Sequence, residues 1–252
     1  MNTLELKNRL GEPIHIDQET IDGFSRKLRG SLLLKEHRDY EMARKVWNGS
    51  IDKKPAMIVR CQGTADVMAS VDFVRDHGLL FSVRAGGHNV SGASVNDGGV
   101  VIDVSQMRSV HVDPHARIAR VEAGARLGDL DHETVAFDLA APVGLVSETG
   151  VAGLTLHGGT GWLTRKHGLS IDNLHAIEIV TAEGKMLRTS VDEHPNLFWA
   201  LCGGGGNFGV VTQFEFRLHP HRPAGFYLHA NICHGKCSGG YDCLPKVHGC
   251  CP

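Results

Sequence analysis

The sequence contains no apolar run approaching the about 20 residues that a membrane-spanning helix requires. Its first residues, MNTLELKNRLGEP, lack the basic start and apolar stretch of a secretory signal peptide. The formal net charge is −2, so no bulk charge indicates binding to nucleic acid or to an anionic membrane. We therefore expect a cytoplasmic protein that acts on a small-molecule substrate and binds neither nucleic acid nor membrane.

The familiar nucleotide-binding signatures are also missing. No G-x-G-x-x-G run follows a strand and opens a helix, and no P-loop with its lysine is present. A dinucleotide bound by this chain would therefore not be held in the Rossmann manner.

Glycine, in contrast, is abundant. The chain has 31 glycines in 252 residues, and many lie in three clusters at 86–99, 144–161 and 203–209. Each cluster lies beside strand-like sequence, where glycine usually marks tight backbone or close approach to a ligand. The alternative interpretation is several loops that merely happen to be rich in glycine.

Segments with the apolar spacing of helices and segments with that of strands follow one another along the chain in an order that predicts an α+β fold. We expect Thr64 to cap a helix that Gly78 ends. A second helix is expected at 127–137 and a short one at 196–202. The expected strands are 56–60, 80–84, 99–103, 110–113, 119–123, 176–181, 186–189 and 210–217.

Three regions are predicted along the chain. Residues 1–48 form an N-terminal helical segment in this prediction, and residues 49–220 form the main domain. That domain is divided into subdomains of about 49–112 and 113–220. Residues 221–252 are a cysteine-rich tail of different composition.

The first glycine cluster begins with Val83–Gly92, VRAGGHNVSG. A strand ends at Arg84, and the following pair of glycines can direct successive backbone N–H groups at one point, forming a nest for phosphate. Arg84 can add positive charge for a pyrophosphate. A lone loop histidine is usually a solvated surface group, but His88 lies at the mouth of a turn with ligand-binding character.

The second cluster, GLVSETGVAGLTLHGGTG, alternates small and short apolar residues and includes several hydroxyl side chains. Such backbone can lie flat against an extended cofactor, although a structural glycine-rich loop is the competing interpretation. The third cluster, GGGGNFGVVT, also permits close approach but is weak evidence alone.

Taken together, these segments resemble the FAD-binding (PCMH-type) domain of the vanillyl-alcohol oxidase superfamily, especially the berberine-bridge-enzyme-like oxidases. The resemblance covers about residues 40–220 and is carried by RAGGHN, GLVSETGVAGLT, HGLSIDNL and NLFWALCGGGGNFGVVTQFEF in the expected order. It implies a two-subdomain α+β fold that binds FAD, and it indicates that the substrate domain of the family is missing from this chain.

The resemblance also implies site residues. His88 would bond covalently to the methyl carbon of the flavin ring. Val146 stands where many relatives have a second, cysteinyl link, so a single link is expected. The pyrophosphate would be surrounded by Arg84, Gly86, Gly87, Asn89 and Gly92. The ribityl and ring portions would be followed by Ser147, Thr149, Gly150, Gly153 and Thr155. Backbone on the adenine or ring side would come from Asn207, Gly209 and Val211.

His157 departs from the family, which has a glycine in its place. Its imidazole is expected to clash with the flavin or to be accommodated harmlessly, with a new ligand contact as the alternative.

The activity implied is hydride transfer from a small alcohol or sugar-like substrate to FAD, assisted by a base. Relatives often use a tyrosine as that base, but Tyr40, Tyr227 and Tyr241 have no convincing counterpart position, so no catalytic base is named. The competing functions are a non-catalytic FAD-binding or interaction module and a UDP-sugar reductase of related fold. His88 argues against the reductase, because the reductase binds its flavin without a covalent bond and has no need of a histidine there.

The tail after Pro220 admits three interpretations. A frameshift or truncation is favoured, because the composition changes abruptly there. A metal-binding knuckle is the second, although its cysteines lack paired C-x2-C spacing; its ligands would be Cys233, Cys237, Cys243, His248 and Cys250. A disulfide-linked tail would require an oxidising compartment. We also expect an apolar, association-prone face where the substrate domain would have packed.

Overall fold

The computed structural model describes residues 3–221, and all the structural observations below concern that range. The strands are β1 Thr3–Lys7, β2 Pro13–Asp17, β3 Ser31–Leu34, β4 Met57–Arg60, β5 Phe81–Arg84, β6 Val100–Asp103, β7 Val110–Asp113, β8 Ile118–Glu122, β9 Leu139–Ala140, β10 Leu174–Val180, β11 Met186–Ser190, β12 Val210–Arg217 and β13 His219–Pro220. The helices are α1 Gln18–Ser25, α2 Tyr40–Ala43, α3 Thr64–Asp76, α4 Leu127–Val135, α5 Val151–Thr155, α6 Thr164–His167 and α7 Pro195–Gly204.

Two sheets organise the molecule. The first has the order β3-β4-β6-β5, in which β4 and β5 both run parallel to the central β6 and β3 is antiparallel to β4. The second is antiparallel, with the order β11-β10-β12-β8-β7. Since one sheet carries a parallel strand–helix–strand unit and the other is purely antiparallel, the expected α+β class is confirmed.

Helix α3 joins the two sheets into one core. It contacts β6 of the first sheet and β10 and β12 of the second. Ile102 on β6 and Phe214 and Phe216 on β12 are fully buried in the same apolar cluster. The first glycine cluster follows β5 and the third precedes β12, so the shared core sets the relative positions of these two clusters.

The prediction that residues 1–48 are helical is wrong over most of that segment. β1 and β2 form an antiparallel hairpin, and β3 pairs with β4 in the first sheet. The sequences TLELK and PIHID alternate apolar and polar residues, which is a strand period, and their buried faces pack on the core. Only α1 and the short α2 are helical there.

Other boundaries also differ from the prediction. Helix α3 begins at Thr64, and its N-cap is the extended Gly63 rather than Thr64. The Asp66 carboxylate accepts the backbone N–H of Gln62, the residue before this N-cap, at 2.9 Å, which ties the chain entering the helix to its first turn. The division between the two sheets falls between Asp103 and Val110, so the predicted subdomain boundary at 112/113 lies inside β7. The division into subdomains remains a prediction.

Two further expectations concern a membrane-spanning helix and the cysteine-rich tail. Within residues 3–221, no helix is both long and apolar enough to cross a membrane. The cysteine-rich tail lies outside the described residues except for its first residue, His221. All of its proposed metal ligands lie outside them as well.

Candidate functional site

The first and second glycine clusters cross each other at Gly86 and Gly150. A Cβ atom built on Gly86 would lie 2.6 Å from the Cα and N atoms of Gly150, and one built on Gly150 would lie 2.7 Å from the Gly86 nitrogen. Only two residues without side chains can bring their backbones so close. The crossing places the start of α5 directly beside the turn that carries His88.

The second and third clusters meet at His157 and Gly205. The His157 Nδ1–H donates to the Gly153 carbonyl at 2.8 Å, and the Nε2 atom would lie 2.7 Å from a Cβ at Gly205. The Gly205 N–H also donates to the Leu156 carbonyl at 3.2 Å. The imidazole is therefore accommodated as a bridge between two glycine segments, and all three clusters converge.

The turn after β5 has unused backbone donors. Within the described part of the chain, the N–H groups of residues 86–89 donate no hydrogen bond to another residue. Gly87 is buried and has a positive φ of 69°. An unpaired N–H group at a buried residue such as Gly87 is costly unless water or a ligand accepts from it, whereas His88 is half-buried and Asn89 is exposed. The arrangement of the turn's N–H groups suits the phosphate nest expected from the sequence.

Asn89 and Gly92 shape this turn from within. The Asn89 side-chain oxygen accepts the Ser91 hydroxyl at 2.6 Å and the Ala93 N–H at 3.3 Å. Gly92 has a φ of 71° and packs against the Ile51 side chain. Their contact with a pyrophosphate remains a prediction.

Arg84 is engaged inside the protein. One guanidinium nitrogen donates to the Ala43 carbonyl and lies 3.7 Å from the carboxylate of Asp103, which is 1% exposed. The Nε atom is buried without a hydrogen bond in the described residues. The charge of Arg84 is thus shared with a buried carboxylate, and its predicted role towards a pyrophosphate stays a prediction.

The second cluster runs beside the first residues of α4, which precede it in the chain. The N–H groups of Leu127 and Gly128 donate to the carbonyls of Thr149 and Ser147 at 2.9 and 3.0 Å. Ser147 is exposed, whereas Thr155 is fully buried and its hydroxyl has no hydrogen-bond partner within residues 3–221. Ser147 is thus accessible to a ligand, and a contact near Thr155 would have to come from neighbouring backbone.

Gly153 and Gly206 present open backbone. A Cβ on either residue would meet no heavy atom within 4 Å, and both residues are exposed. In the third cluster Asn207 is exposed, and its side chain donates to the Gly204 carbonyl at 2.7 Å. Gly209 leads into β12, where Val211 is buried in the core. We call the open backbone of Gly153 and Gly206, together with the turn and its unused N–H groups, the cradle. Its contacts with FAD, and those of Asn207, Gly209 and Val211, remain predictions.

Sequence reasoning missed Trp47 and Asn48. The Trp47 indole stacks on the His88 imidazole, with ring centroids 5.7 Å apart and planes 20° apart. The Asn48 side chain donates to the Val90 carbonyl at 2.8 Å. The sequence offered only a weak signal, one tryptophan in the mostly polar stretch 44–54. The structure shows that this side chain is 66% exposed.

Other reactive side chains in the described range serve the fold. Tyr40 is 2% exposed and donates its hydroxyl to the Pro55 carbonyl at 2.6 Å, and burial raises the pKa of its phenol. Burial also raises the pKa of the Cys61 thiol to about 12 and raises that of Cys202. No group of three or more metal-ligating side chains occurs within residues 3–221.

One polar groove lies apart from the cradle, on the five-stranded sheet. Its floor contains the buried Glu215 carboxylate, which pairs with Arg188 at 2.9 Å and lies 3.8 Å from Arg120. No glycine of the three clusters lines it. These ion pairs account for Arg120, Arg188 and Glu215, and the Asp113 carboxylate accepts the backbone N–H groups of His115 and Ala116.

Residues 55–190 match the family model described as FAD binding domain. The chain is 42% identical over 192 residues to (R)-6-hydroxynicotine oxidase from Paenarthrobacter nicotinovorans, covering 76% of this chain and 42% of that protein. The chain thus spans less than half the length of this relative.

Two solved structures also share the fold at a TM-score of 0.75. BBE-like 1 from Physcomitrella patens is 30% identical, and the match covers 79% of this chain and 44% of the other. Glucooligosaccharide oxidase from Acremonium strictum is 31% identical, with coverage of 81% and 43%, and its structure is described with a 6-S-cysteinyl, 8α-N1-histidyl FAD.

Proposed function

Because the chain belongs to the FAD binding domain family, we propose that it is the FAD-holding part of an FAD-linked oxidoreductase, with His88 bonded covalently to FAD. The expected resemblance to berberine-bridge-enzyme-like oxidases is confirmed, and FAD is the cofactor. The residues that hold it, and its attachment to His88, are part of the proposal.

The convergence of the three glycine clusters is the observation that carries this proposal. Gly86 touches Gly150, and His157 touches Gly205, so the three segments can surround one extended molecule. The N–H groups of residues 86–89 make no hydrogen bond within the described residues, so they are free to donate to a pyrophosphate, as backbone nests do. The open backbone at Gly153 and Gly206 permits close approach of flat rings.

FAD supplies the electron chemistry of such an enzyme, and the protein supplies placement and electrostatics. In this proposal His88 anchors the cofactor and prevents its loss. Val146, which is 57% exposed, occupies the place of a second, cysteinyl link, so a single bond is expected.

The substrate is proposed to be a small alcohol or sugar-like molecule. Relatives named for oxidation of 6-hydroxynicotine and of glucooligosaccharides support a small-molecule substrate in general. The alternative is a non-catalytic module that binds FAD. A cytoplasmic location remains a prediction.

The covalent link is tested by the visible spectrum of the purified 252-residue chain before and after acid precipitation. We expect flavin absorbance to remain in the pellet, and we expect His88→Ala to bind only dissociable flavin. His115→Ala is the matched control, because His115 lies exposed in the β7–β8 turn away from the glycine clusters. A colourless pellet from folded parent protein would refute the covalent attachment.

Oxidase function is tested separately by anaerobic mixing with alcohols, oligosaccharides and 6-hydroxynicotine. Loss of the oxidised flavin band with one substrate class identifies the hydride donor. A flavin that every class leaves oxidised favours the non-catalytic alternative for this chain.

A further inference from the structure

The segment 43–51 runs beside the turn 84–92 and is joined to it at successive points. Arg84 donates to the Ala43 carbonyl, and the Trp47 N–H donates to the Gly87 carbonyl at 3.0 Å. Asn48 then reaches Val90. The Ile51 side chain packs against Gly92. We call residues 43–51 the tether.

The tether presents one aromatic ring to the turn. The Trp47 indole lies nearly parallel to the His88 imidazole, at a centroid distance within the range of offset stacking. Neither His88 ring nitrogen makes a hydrogen bond to another residue between 3 and 221, so the stack on Trp47 is what orients the ring plane. The nitrogens stay available for reaction while the plane is held.

Packing in the core does not explain why position 47 carries a tryptophan, since this side chain is 66% exposed. The backbone hydrogen bond from Trp47 to Gly87 joins tether and turn without the indole. The side chain can therefore be shortened while the tether stays in place, and its contribution is the stack itself.

We propose that Trp47 is a positioning residue that holds the His88 imidazole in the orientation from which it bonds to FAD. This inference rests on the covalent attachment proposed above. Bond formation replaces one imidazole N–H and one methyl C–H bond with a single N–C bond. Two protons pass to solvent, and the two electrons left on the flavin pass to dioxygen. An imidazole that rotates freely would reach this geometry less often.

The experiment follows covalent incorporation over time. FAD is added to apoprotein purified from riboflavin-limited cells, and bound flavin is measured before and after acid precipitation. The variants are Trp47→Ala and Trp47→Phe, which keeps an aromatic face. Trp199→Ala is the control, because this indole on α7 is 79% exposed and stacks on no ring in the described range. Trp47→Leu replaces the alanine variant if that variant does not fold.

Trp47→Ala should bind as much FAD as the parent before acid but form the covalent link about 5-fold more slowly, as expected from the loss of one aromatic stack. Trp47→Phe should stay within about 2-fold of the parent by the same reasoning. Equal covalent rates in Trp47→Ala and the control would overturn the inference, as would equal loss in the alanine and phenylalanine variants. Acid-stable flavin in His88→Ala would instead remove the covalent attachment on which it rests.

Discussion

Gly153 lies at the centre of α5, where the protein itself gives no reason for glycine. Its φ is not positive, and an added Cβ would meet no heavy atom within 4 Å. Val151 and Thr155 on the same helix are fully buried, while Gly153 is exposed. Because alanine is the better helix former by about 0.5–1 kcal/mol, we attribute this glycine to the proposed contact between FAD and the backbone of α5.

Gly153→Ala should therefore change stability and FAD binding in opposite directions. We predict that the free energy of unfolding of the FAD-free chain rises by about 0.5–1 kcal/mol. A methyl group inserted into a fitted contact costs about 1–3 kcal/mol. That cost corresponds to a Kd for FAD that is weaker by about 5- to 150-fold.

The assay uses the His88→Ala background, in which FAD binding is expected to be reversible. Urea unfolding of the FAD-free protein measures stability, and titration of FAD by fluorescence measures Kd. Gly23→Ala is the control, because Gly23 lies in α1 and its added Cβ would make only an ordinary contact with Arg26 at 3.8 Å. It should stabilise the chain similarly and leave Kd unchanged. An unchanged Kd in Gly153→Ala would refute the placement of FAD against α5.

Three further predictions follow from single contacts. Gly86→Ala should lower both the melting temperature and the bound flavin, because its Cβ would meet Gly150 backbone at 2.6 Å; a stable, flavin-replete variant would contradict the crossing. Burial raises the pKa of Asp131 from 3.8 to about 6, so folding stability should fall as pH rises through that interval, by at most about 3 kcal/mol. Asp131→Asn should remove this slope in urea titrations, and an unchanged slope would contradict it. His167 and His219 stack at 3.8 Å, and burial and neighbouring positive charges lower the pKa of each ring below 6.5. The stability that these two neutral rings contribute to the fold should therefore be complete above pH 6.5 and should be lost as the pH falls below it. His219→Gln should reduce the drop in melting temperature that acid causes.

The hairpin and the tether show where sequence reasoning succeeds and where it stops. The strand prediction at 210–217 coincides with β12, because alternating apolar residues directly encode a two-faced strand. TLELK alternates in the same way and forms β1, but the helical period of the segment that follows it favours a helix in a prediction from sequence. Trp47 carried no such signal, since its role depends on the ring of a residue distant in sequence.

The sequence by itself determined the local elements and the three glycine clusters, because hydrophobic period and glycine content act over a few neighbouring residues. Only the tertiary structure decided that Gly86 crosses Gly150, that His157 bridges to Gly205 and that Trp47 faces His88. These contacts join segments that lie far apart along the chain. They exist because α3 packs both sheets into one core, which sets the distance between the loops at the strand ends.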